Sequence, residues 1–371
     1  MNSDRISLFA SAASWIEGES LQQLERVASL PGMAKVAGFP DLHPGKGSPV
    51  GAAMLSIGAF YPYLVGTDVG CGMGLFATDL SVAKAKPEKW SKKLHYLEEP
   101  WDGDAAAWLE ERGASGDAFN GSIGTIGGGN HFAELLRLRE VNDREAFKAL
   151  RLDEDDLVLL VHSGSRGLGE ALLRSHTDRF RDGSLIADSK EAELYLKQHS
   201  NAIAWGAANR ELIAHRLLDQ IGSGYRTVVD LVHNSVTLLT TEDVPSFLHR
   251  KGAAPSDAGA VVIPGSRGAA SYLVMPIGEQ EKNLWSVAHG AGRKWNRSEC
   301  AGRLRERYNA ESLRRTGLGS YVICEEKGLL YEEAPQAYKD IESIIDDMVS
   351  FGLIRVIASF TPLLTYKVRE R

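Results

Sequence analysis

Cysteine is scarce in this chain, and long apolar runs are missing. Three cysteines lie far apart in 371 residues, which argues against a disulfide framework and indicates a reducing compartment, so we expect a cytoplasmic protein. No apolar run approaches the roughly 20 residues that a membrane-spanning helix needs. Residues 1–5 show no basic region followed by an apolar one, so we expect no signal peptide.

An excess of positive charge is also lacking, because the formal net charge is −7. This balance disfavours indiscriminate binding to nucleic acid. The acidic residues, however, concentrate at 140–145 and 153–156. These stretches lie away from the glycine-rich motifs, which are at residues 66–72, 127–134, 162–167, 250–253, 264–268 and 289–293. The basic residues in or beside those motifs are Arg166, Arg250, Lys251, Arg267, Arg293, Lys294 and Arg297. They can form a local basic channel for a phosphate-rich ligand; the alternative is that they are ordinary solvated surface charges.

The composition allows a large buried core, since 43% of the residues are hydrophobic. The length suggests two or three domains, but the side chains with metal-binding potential run from Asp68 to His289. Because one site must bring them together, a single domain over residues 1–371 is the simpler prediction. Strand and helix signals are interspersed without the regular alternation of a Rossmann fold or a barrel. We therefore predict a mixed α+β fold with central β-sheets flanked by helices.

Local patterns place several elements. The predicted helices span residues 20–30, 189–220 and 335–350, and the predicted strands span residues 50–57, 157–161, 228–232 and 260–263. Ser20 can cap the first helix, Gly222 ends the second, and Pro335 lies in the first turn of the third. Two of the strands present His162 and His233 at their ends, which is a usual way to build a site on a rigid frame.

Aspartate, cysteine and histidine occur in turns or at strand ends at several places. The five candidate metal ligands are Asp68, Cys71, His131, His162 and His233. The spacing of Asp68 and Cys71 lets a carboxylate and a thiolate reach one ion, although most such pairs are incidental, and each histidine alone is more often structural. Together the five can serve two ions if Cys71 bridges them. This donor set suits manganese or zinc and not magnesium, and paired ions are characteristic of phosphoryl transfer.

Three further features indicate a phosphorylated ligand. His289 lies among small residues in His-Gly-Ala-Gly-Arg, a clearance that a metal ligand does not need. A histidine that attacks phosphorus does need it, and Arg293 would then neutralise the transferred group. The three glycines before Asn130 predict close approach of a nucleotide or phosphate to bare backbone, with a flexible loop as the alternative. Glu134 can hold a metal, a neighbouring imidazole or a nucleobase.

These motifs together resemble the RtcB family of tRNA-splicing and RNA-repair ligases. The resemblance extends from about Asp41 to the C-terminus. The motifs that carry it are Asp41-Leu42-His43-Pro44-Gly45, Gly66-Thr67-Asp68-Val69-Gly70-Cys71-Gly72, Gly129-Asn130-His131-Phe132, His162-Ser163-Gly164-Ser165-Arg166-Gly167, Val232-His233-Asn234, Arg250-Lys251-Gly252-Ala253, Pro264-Gly265-Ser266, His289-Gly290-Ala291-Gly292-Arg293 and Tyr338-Lys339-Asp340-Ile341.

The resemblance implies a fold, a reaction and a set of roles. The family uses GTP and manganese to join an RNA 3′-phosphate or 2′,3′-cyclic phosphate to a 5′-hydroxyl. By motif, the five candidate ligands above would bind two Mn²⁺ ions, and His289 would become covalently guanylylated. The residues implied to line the GMP pocket are Asn130, Phe132, Glu134, Ser266, Ser271, Ala291, Gly292, Arg293, Tyr338 and Lys367. The implied partners are RNA with those ends, GTP and a release-factor homologue of the same pathway.

The chain departs from the family pattern at three positions. Gly74 stands where the family usually has arginine, Arg267 replaces the methionine of Pro-Gly-Ser-Met, and Trp295 lies in an unusual stretch after Arg293. We expect these positions to lie where RNA runs, as in a short RNA-repair paralogue. Two alternatives remain at this stage: a metal-dependent cyclic phosphodiesterase that does not ligate, and a non-catalytic RNA-binding protein.

Overall fold

The computed structural model describes residues 3–181, 183–239 and 244–369. The strands in these ranges are β1 (Ile6–Leu8), β2 (Met33–His43), β3 (Val50–Ile57), β4 (Ala59–Phe60), β5 (Gly72–Ser81), β6 (Phe132–Val141), β7 (Asp156–Ser163), β8 (Leu185–Ile186), β9 (Tyr225–Val232), β10 (Asn234–Leu239), β11 (Ser246–Lys251), β12 (Ala253–Pro255), β13 (Val261–Ile263), β14 (Ser271–Pro276), β15 (Ser286–Ala288), β16 (Tyr321–Cys324) and β17 (Ile354–Val368). The α-helices are α1 (Gly18–Ala28), α2 (Pro87–Lys93), α3 (Ala105–Glu110), α4 (Arg144–Ala149), α5 (Gly167–Phe180), α6 (Lys190–Ile221), α7 (Arg297–Leu304), α8 (Ala310–Leu313), α9 (Lys327–Glu332) and α10 (Ile341–Ser350). Short 3₁₀ helices span Ser3–Arg5, Pro62–Leu64, Val82–Lys84, Asp117–Ser122 and Pro335–Ala337.

Two larger sheets form the centre of the molecule. The first has the order β13-β14-β17-β6-β7-β5-β9, with β16 beside β17, and the second has the order β1-β2-β3-β11-β10. Pairing is antiparallel except between β1 and β2 and between β16 and β17. The predicted mixed α+β fold with central sheets is confirmed, and the four predicted strands correspond to β3, β7, β9 and β13. Among the described residues, none of the helices combines the length and apolar content needed to cross a bilayer.

Helix α6 packs against one face of the first sheet. Its bounds confirm the helix that was predicted over residues 189–220. Ser189 accepts a hydrogen bond from the backbone N–H of Ala192, and Gly222 ends the helix with a φ of 77°, a left-handed conformation that glycine adopts at low cost. Trp205, which is fully buried, packs against a cluster that includes α3. The helix therefore fixes one wall of the region where the strand ends meet.

The other two predicted helices are wrong at their starts. Residues 335–340 are not α-helical: after the 3₁₀ turn at Pro335–Ala337, the chain runs extended through Tyr338, and α10 begins only at Ile341. The reason is tertiary, because Tyr338 forms a β-bridge with Arg293. Helix α1 begins at Gly18, so Ser20 lies inside it, and its hydroxyl donates back to the carbonyl of Glu17.

Candidate metal centre and ligand cavity

Four strand ends bring the candidate metal ligands together. Strand β5 lies between β7 and β9 in the first sheet, and β6 lies on the other side of β7. Cys71 directly precedes β5, His162 lies in β7 opposite Phe132, and His131 directly precedes β6. His233 directly follows β9, and its backbone N–H donates to the carbonyl of Cys71 at 2.9 Å. The sheet register itself therefore gathers side chains that are far apart in the sequence.

The ligand atoms fall into two groups that share the thiol of Cys71. Cys71, His162 and His233 form one group, and Asp68, Cys71 and His131 form the other, with the ligand atoms of each group within 4.8 Å of one another. The Sγ of Cys71 lies 3.1 Å from Nε2 of His162 and 3.5 Å from Nε2 of His131. Nε2 of His131 also lies 2.8 Å from Oδ2 of Asp68. The two candidate groups therefore share one sulfur atom, which is placed to contact an ion in either group.

Backbone carbonyls set the tautomers of two of these histidines. Nδ1 of His131 lies 3.1 Å from the carbonyl oxygen of Ile126, and Nδ1 of His162 lies 3.2 Å from that of Asn130. A carbonyl only accepts, so Nδ1 of each ring carries a proton, and Nε2 is the nitrogen that faces the other candidate ligands. Burial holds the pKa of His162 well below its usual value. The neutral form, which is the form that binds metals, is therefore the stable one.

The thiol of Cys71 is buried, and its surroundings together disfavour the thiolate although the charge of Arg210 favours it. Burial, and then the charge of Asp68, raise the pKa of Cys71 well above its usual value. A metal ion that binds here must therefore displace the thiol proton. Glycine makes room for the group: a Cβ at position 164 would lie 2.2 Å from Oδ1 of Asp68, and one at Gly70, where φ is 79°, would lie 2.8 Å from the carbonyl of Ala202.

A buried arginine, not predicted from the sequence, supports both turns that carry candidate metal ligands. Arg210 of α6 is fully buried and donates from Nη1 to the carbonyls of Gly70 and Ser163, each at 2.9 Å. Its Nε donates to Asp230 at 2.8 Å, and its Nη2 donates to the other oxygen of the same carboxylate at 2.5 Å. Gly70 precedes Cys71, and Ser163 follows His162. Nothing in the helical pattern of α6 distinguishes Arg210 from a surface arginine.

His289 lies beside the metal ligands and is held by Asp41. The Nδ1 of His289 lies 2.7 Å from Oδ2 of Asp41, which also accepts the backbone N–H of His289 at 3.2 Å. Its ring centroid lies 4.7 Å from that of His233. A Cβ at Gly252 would lie 2.9 Å from Cε1 of His289, and one at Gly292, where φ is 70°, would lie 2.3 Å from the carbonyl of Asp41. Asp41 thus occupies Nδ1 and leaves Nε2 as the free nitrogen.

Asp41 is fully buried, and its role could not be predicted from the sequence although it opens the Asp41–Gly45 motif. The available signal was an aspartate next to His43-Pro44, which indicates a shaped turn but not a partner. The structure supplies that partner across 248 residues. His43 lines the same region, and burial lowers its pKa to about 4.

One cavity of about 850 Å³ connects His289, the two ligand groups and most of the implied nucleotide pocket. The implied pocket residues on its wall are Asn130, Phe132, Glu134, Ser266, Ala291, Gly292, Arg293, Tyr338 and Lys367. Ser271 lies in β14, is 1% exposed and is not on the wall; its hydroxyl has no hydrogen-bond partner among the described residues. Burial raises the pKa of Glu134 to about 7, and Lys367 donates to the carbonyl of His131 at 3.0 Å.

The charges on the cavity wall are mostly positive although the whole chain is acidic. The lysines and arginines on the wall are Lys46, Arg174, Lys251, Arg267, Arg293, Arg297 and Lys367, and the carboxylates are Asp68, Glu134, Glu170 and Glu333. Arg166 lines an adjoining cavity together with Asp68 and His131. Two residues expected in a basic channel lie elsewhere: Arg250 is buried against Ser286, and Lys294 is not on either cavity wall.

Arg293 contacts protein groups, and the three departures from the family pattern lie in different parts of the fold. Arg293 is engaged by protein groups: Nη1 lies 3.1 Å from Glu333, and Nη2 donates to the carbonyl of Glu332 at 2.8 Å. Of the three departures from the family pattern, only Arg267 lines the cavity. Gly74 lies within β5, and Trp295 packs on a separate hydrophobic cluster near α7.

Comparisons with known proteins identify the family to which this sequence is similar. A family model described as tRNA-splicing ligase RtcB matches residues 23–101 and 101–368. The RNA-splicing ligase RtcB2 of Escherichia coli is 48% identical over 368 residues, which cover 98% of this chain and 96% of that protein. The tRNA-splicing ligases RtcB of Methanococcus maripaludis and Thermococcus kodakarensis are 27% and 28% identical, and each alignment covers 94% of this chain and at least 90% of the relative.

Proposed function

We propose, since the chain belongs to the RtcB family, that it is an RNA ligase that uses GTP and manganese. It joins RNA ending in a 3′-phosphate or 2′,3′-cyclic phosphate to RNA beginning with a 5′-hydroxyl, in RNA repair or tRNA splicing. The observation that carries the proposal is the pair of donor groups sharing Cys71 on one cavity with an aspartate-held histidine, His289. A metal-binding scaffold needs no such histidine.

The donor chemistry fits two manganese ions. Asp68, Cys71 and His131 would hold one ion, and Cys71, His162 and His233 the other. Mixed thiolate, imidazole and carboxylate donors suit manganese or zinc better than magnesium. When bound, such ions lower the pKa of attacking groups and absorb negative charge on phosphoryl oxygens. Their binding also stabilises the thiolate of Cys71, which burial alone disfavours.

His289 acts as the nucleophile that carries the guanylate. Its Nε2 attacks the α-phosphorus of GTP, a phosphorus–nitrogen bond forms, and pyrophosphate leaves. Asp41 holds the proton on Nδ1, orients the ring and stabilises the positive charge that develops as the new bond forms. The RNA 3′-phosphate, formed by water where the end was cyclic, then takes GMP from the histidine, and the 5′-hydroxyl of the second RNA displaces GMP.

The opposite side of the cavity binds the guanosine. Tyr338 and Phe132 offer aromatic faces to the base, and Lys367 and Glu134 supply a donor and an acceptor at its edge. The pocket is completed by Asn130, Ser266 and the backbone of Ala291 and Gly292. Ser271 is buried behind the wall and belongs to the layer that supports it. Nη1 of Arg293 donates to the hydroxyl of Tyr338 at 3.3 Å and so supports the ring.

The excess of cations on the wall suits RNA ends, because each RNA strand brings phosphates to a chain whose net charge is otherwise −7. We also propose that residues 1–371 act as one catalytic unit, because both sheets supply residues to the same cavity. The scarcity of cysteine supports a cytoplasmic location for this unit. A release-factor homologue of an RNA-repair pathway is the proposed partner.

Detection of the covalent guanylate tests the proposal. The purified chain is incubated with GTP and Mn²⁺, and intact-protein mass spectrometry follows the mass of one added GMP in wild-type and His289→Ala protein. We expect the adduct only in the wild type, with metal content largely retained in the variant. Cleavage of cyclic phosphate ends without any adduct would instead indicate a phosphodiesterase, and an adduct on His289→Ala would refute the assigned nucleophile.

A further inference from the structure

A single buried carboxylate, Glu333, organises one wall of the cavity. Glu333 directly follows α9 and is 4% exposed. Its Oε1 lies 3.1 Å from Nη1 of Arg293 and 3.7 Å from Nε of Arg297. Its Oε2 accepts a very short hydrogen bond from the hydroxyl of Tyr338 and lies 3.9 Å from Nζ of Lys367. All five residues line the cavity.

The carboxylate is stable in its charged form despite its burial. Burial raises the pKa of Glu333, but the charges of Lys367 and Arg293 outweigh this effect and hold the pKa below its usual value. One anion therefore lies among three cations and a phenol. A buried ion of this kind is costly unless each oxygen has partners, and here both oxygens have them.

The contacts of Glu333 reach the segment that follows the nucleophile. Arg293 forms a β-bridge with Tyr338, and the backbone N–H of Lys339 donates to the carbonyl of Gly292 at 3.0 Å. The guanidinium of Arg293 lies 5.1 Å from the centre of the Tyr338 ring. With one ring face next to a cation and the hydroxyl held by Glu333, the tyrosine ring has one supported orientation.

We infer that Glu333 is a positioning residue for the nucleotide. It orients the ring of Tyr338 and the guanidinium of Arg293, and through them the base-binding side of the cavity relative to His289. The inference rests on the proposed function and deepens it, because Glu333 acts through its neighbours and not by contact with metal ligands. A carboxylate that only balanced buried charge would affect folding stability but not the GTP requirement.

Glu333→Gln separates these two roles. Glutamine keeps an acceptor for Tyr338 but removes the charge that holds Arg293. We expect the GTP concentration for half-maximal guanylylation of His289 to rise roughly tenfold, as for the loss of one charge-assisted hydrogen bond. The rate at saturating GTP and the manganese content should change much less. Glu332→Gln, a half-buried neighbour whose side chain is not on the cavity wall, is the matched control and should resemble the wild type.

Tyr338→Phe tests the same contact from the other side, because it keeps the ring and removes the hydroxyl. It should also raise the GTP requirement, and the double variant should be no worse than about the larger single effect. Additive effects, or a wild-type GTP requirement in Glu333→Gln, would overturn the inference while leaving the proposed function intact. If calorimetry shows that the wild type does not bind GMP and mass spectrometry shows no adduct, the proposed function itself fails and this inference fails with it.

Discussion

Replacement of Arg210 by methionine should weaken the fold and the metal centre together. The change leaves the carboxylate of Asp230 without its bidentate partner, and breaking a buried ion pair in this way costs about 3–5 kcal/mol. Asp230 keeps 23% of its side chain exposed, so the lower part of that range applies. Two buried carbonyls, of Gly70 and Ser163, also lose their donor, each at about 1–3 kcal/mol. Because these terms overlap, we expect a loss of about 4 kcal/mol.

Urea denaturation measures the loss of stability, and metal analysis measures the ions retained. Arg303→Met, which breaks an exposed ion pair with Glu299, is the matched control and should cost less than about 1 kcal/mol. Arg210→Lys should fall in between, since lysine keeps the charge but cannot reach both carbonyls and the carboxylate. A loss below about 1 kcal/mol in Arg210→Met, with metal content unchanged, would refute the claim that this arginine supports the turns before Cys71 and after His162.

Three other perturbations have defined outcomes. Asp41→Asn should lower the rate of His289 guanylylation about 100-fold or more without loss of metal, and a wild-type rate would show that Asp41 does not orient the ring. Cys71→Ala should reduce metal content at both positions, whereas His233→Ala should affect mainly one, so equal single-ion losses measured by metal analysis would argue against a shared thiolate. Burial lowers the pKa of His199 and His249 to about 4. Below pH 6.5 both side chains take up a proton when the chain unfolds, so their full contribution to stability is present only above that pH. The free energy of unfolding should fall as the pH drops toward 4, by on the order of 2 kcal/mol per histidine at pH 5. Urea denaturation at pH 7 and 5 checks this, and His199→Gln should reduce the pH dependence; an unchanged pH dependence in that variant would contradict the assignment.

The mixed α+β class, helix α6 and the strands that present His162 and His233 could be predicted because their signals are local. Ser189 and Gly222 cap a long helical pattern, and apolar runs define β7 and β9. The five candidate ligands were identifiable as residue types in turns and at strand ends. Their division into two groups through Cys71 was a hypothesis from donor chemistry, and the described geometry brings the atoms together in that way.

The remaining features depend on contacts between distant segments. The bond between Asp41 and His289 spans 248 residues, so neither residue indicates the other. In the sequence, Arg210 is one of several polar residues of a helix. Its role depends on the carbonyls of Gly70 and Ser163, which only the fold brings next to it. The extended stretch at Tyr338, where a helix was predicted, follows from its bridge to Arg293, which local propensity does not encode.

The origin of the phosphate at the joined RNA junction tests the central claim most directly. RNA strands with each combination of 3′ and 5′ ends are incubated with the chain, GTP and Mn²⁺, with ³²P placed in the 3′-phosphate of one strand. The account predicts joining only of 3′-phosphate or cyclic phosphate ends to 5′-hydroxyl ends, with the label retained at the junction and GMP released. A junction without the label, or joining only of 3′-hydroxyl to 5′-phosphate ends, would contradict it.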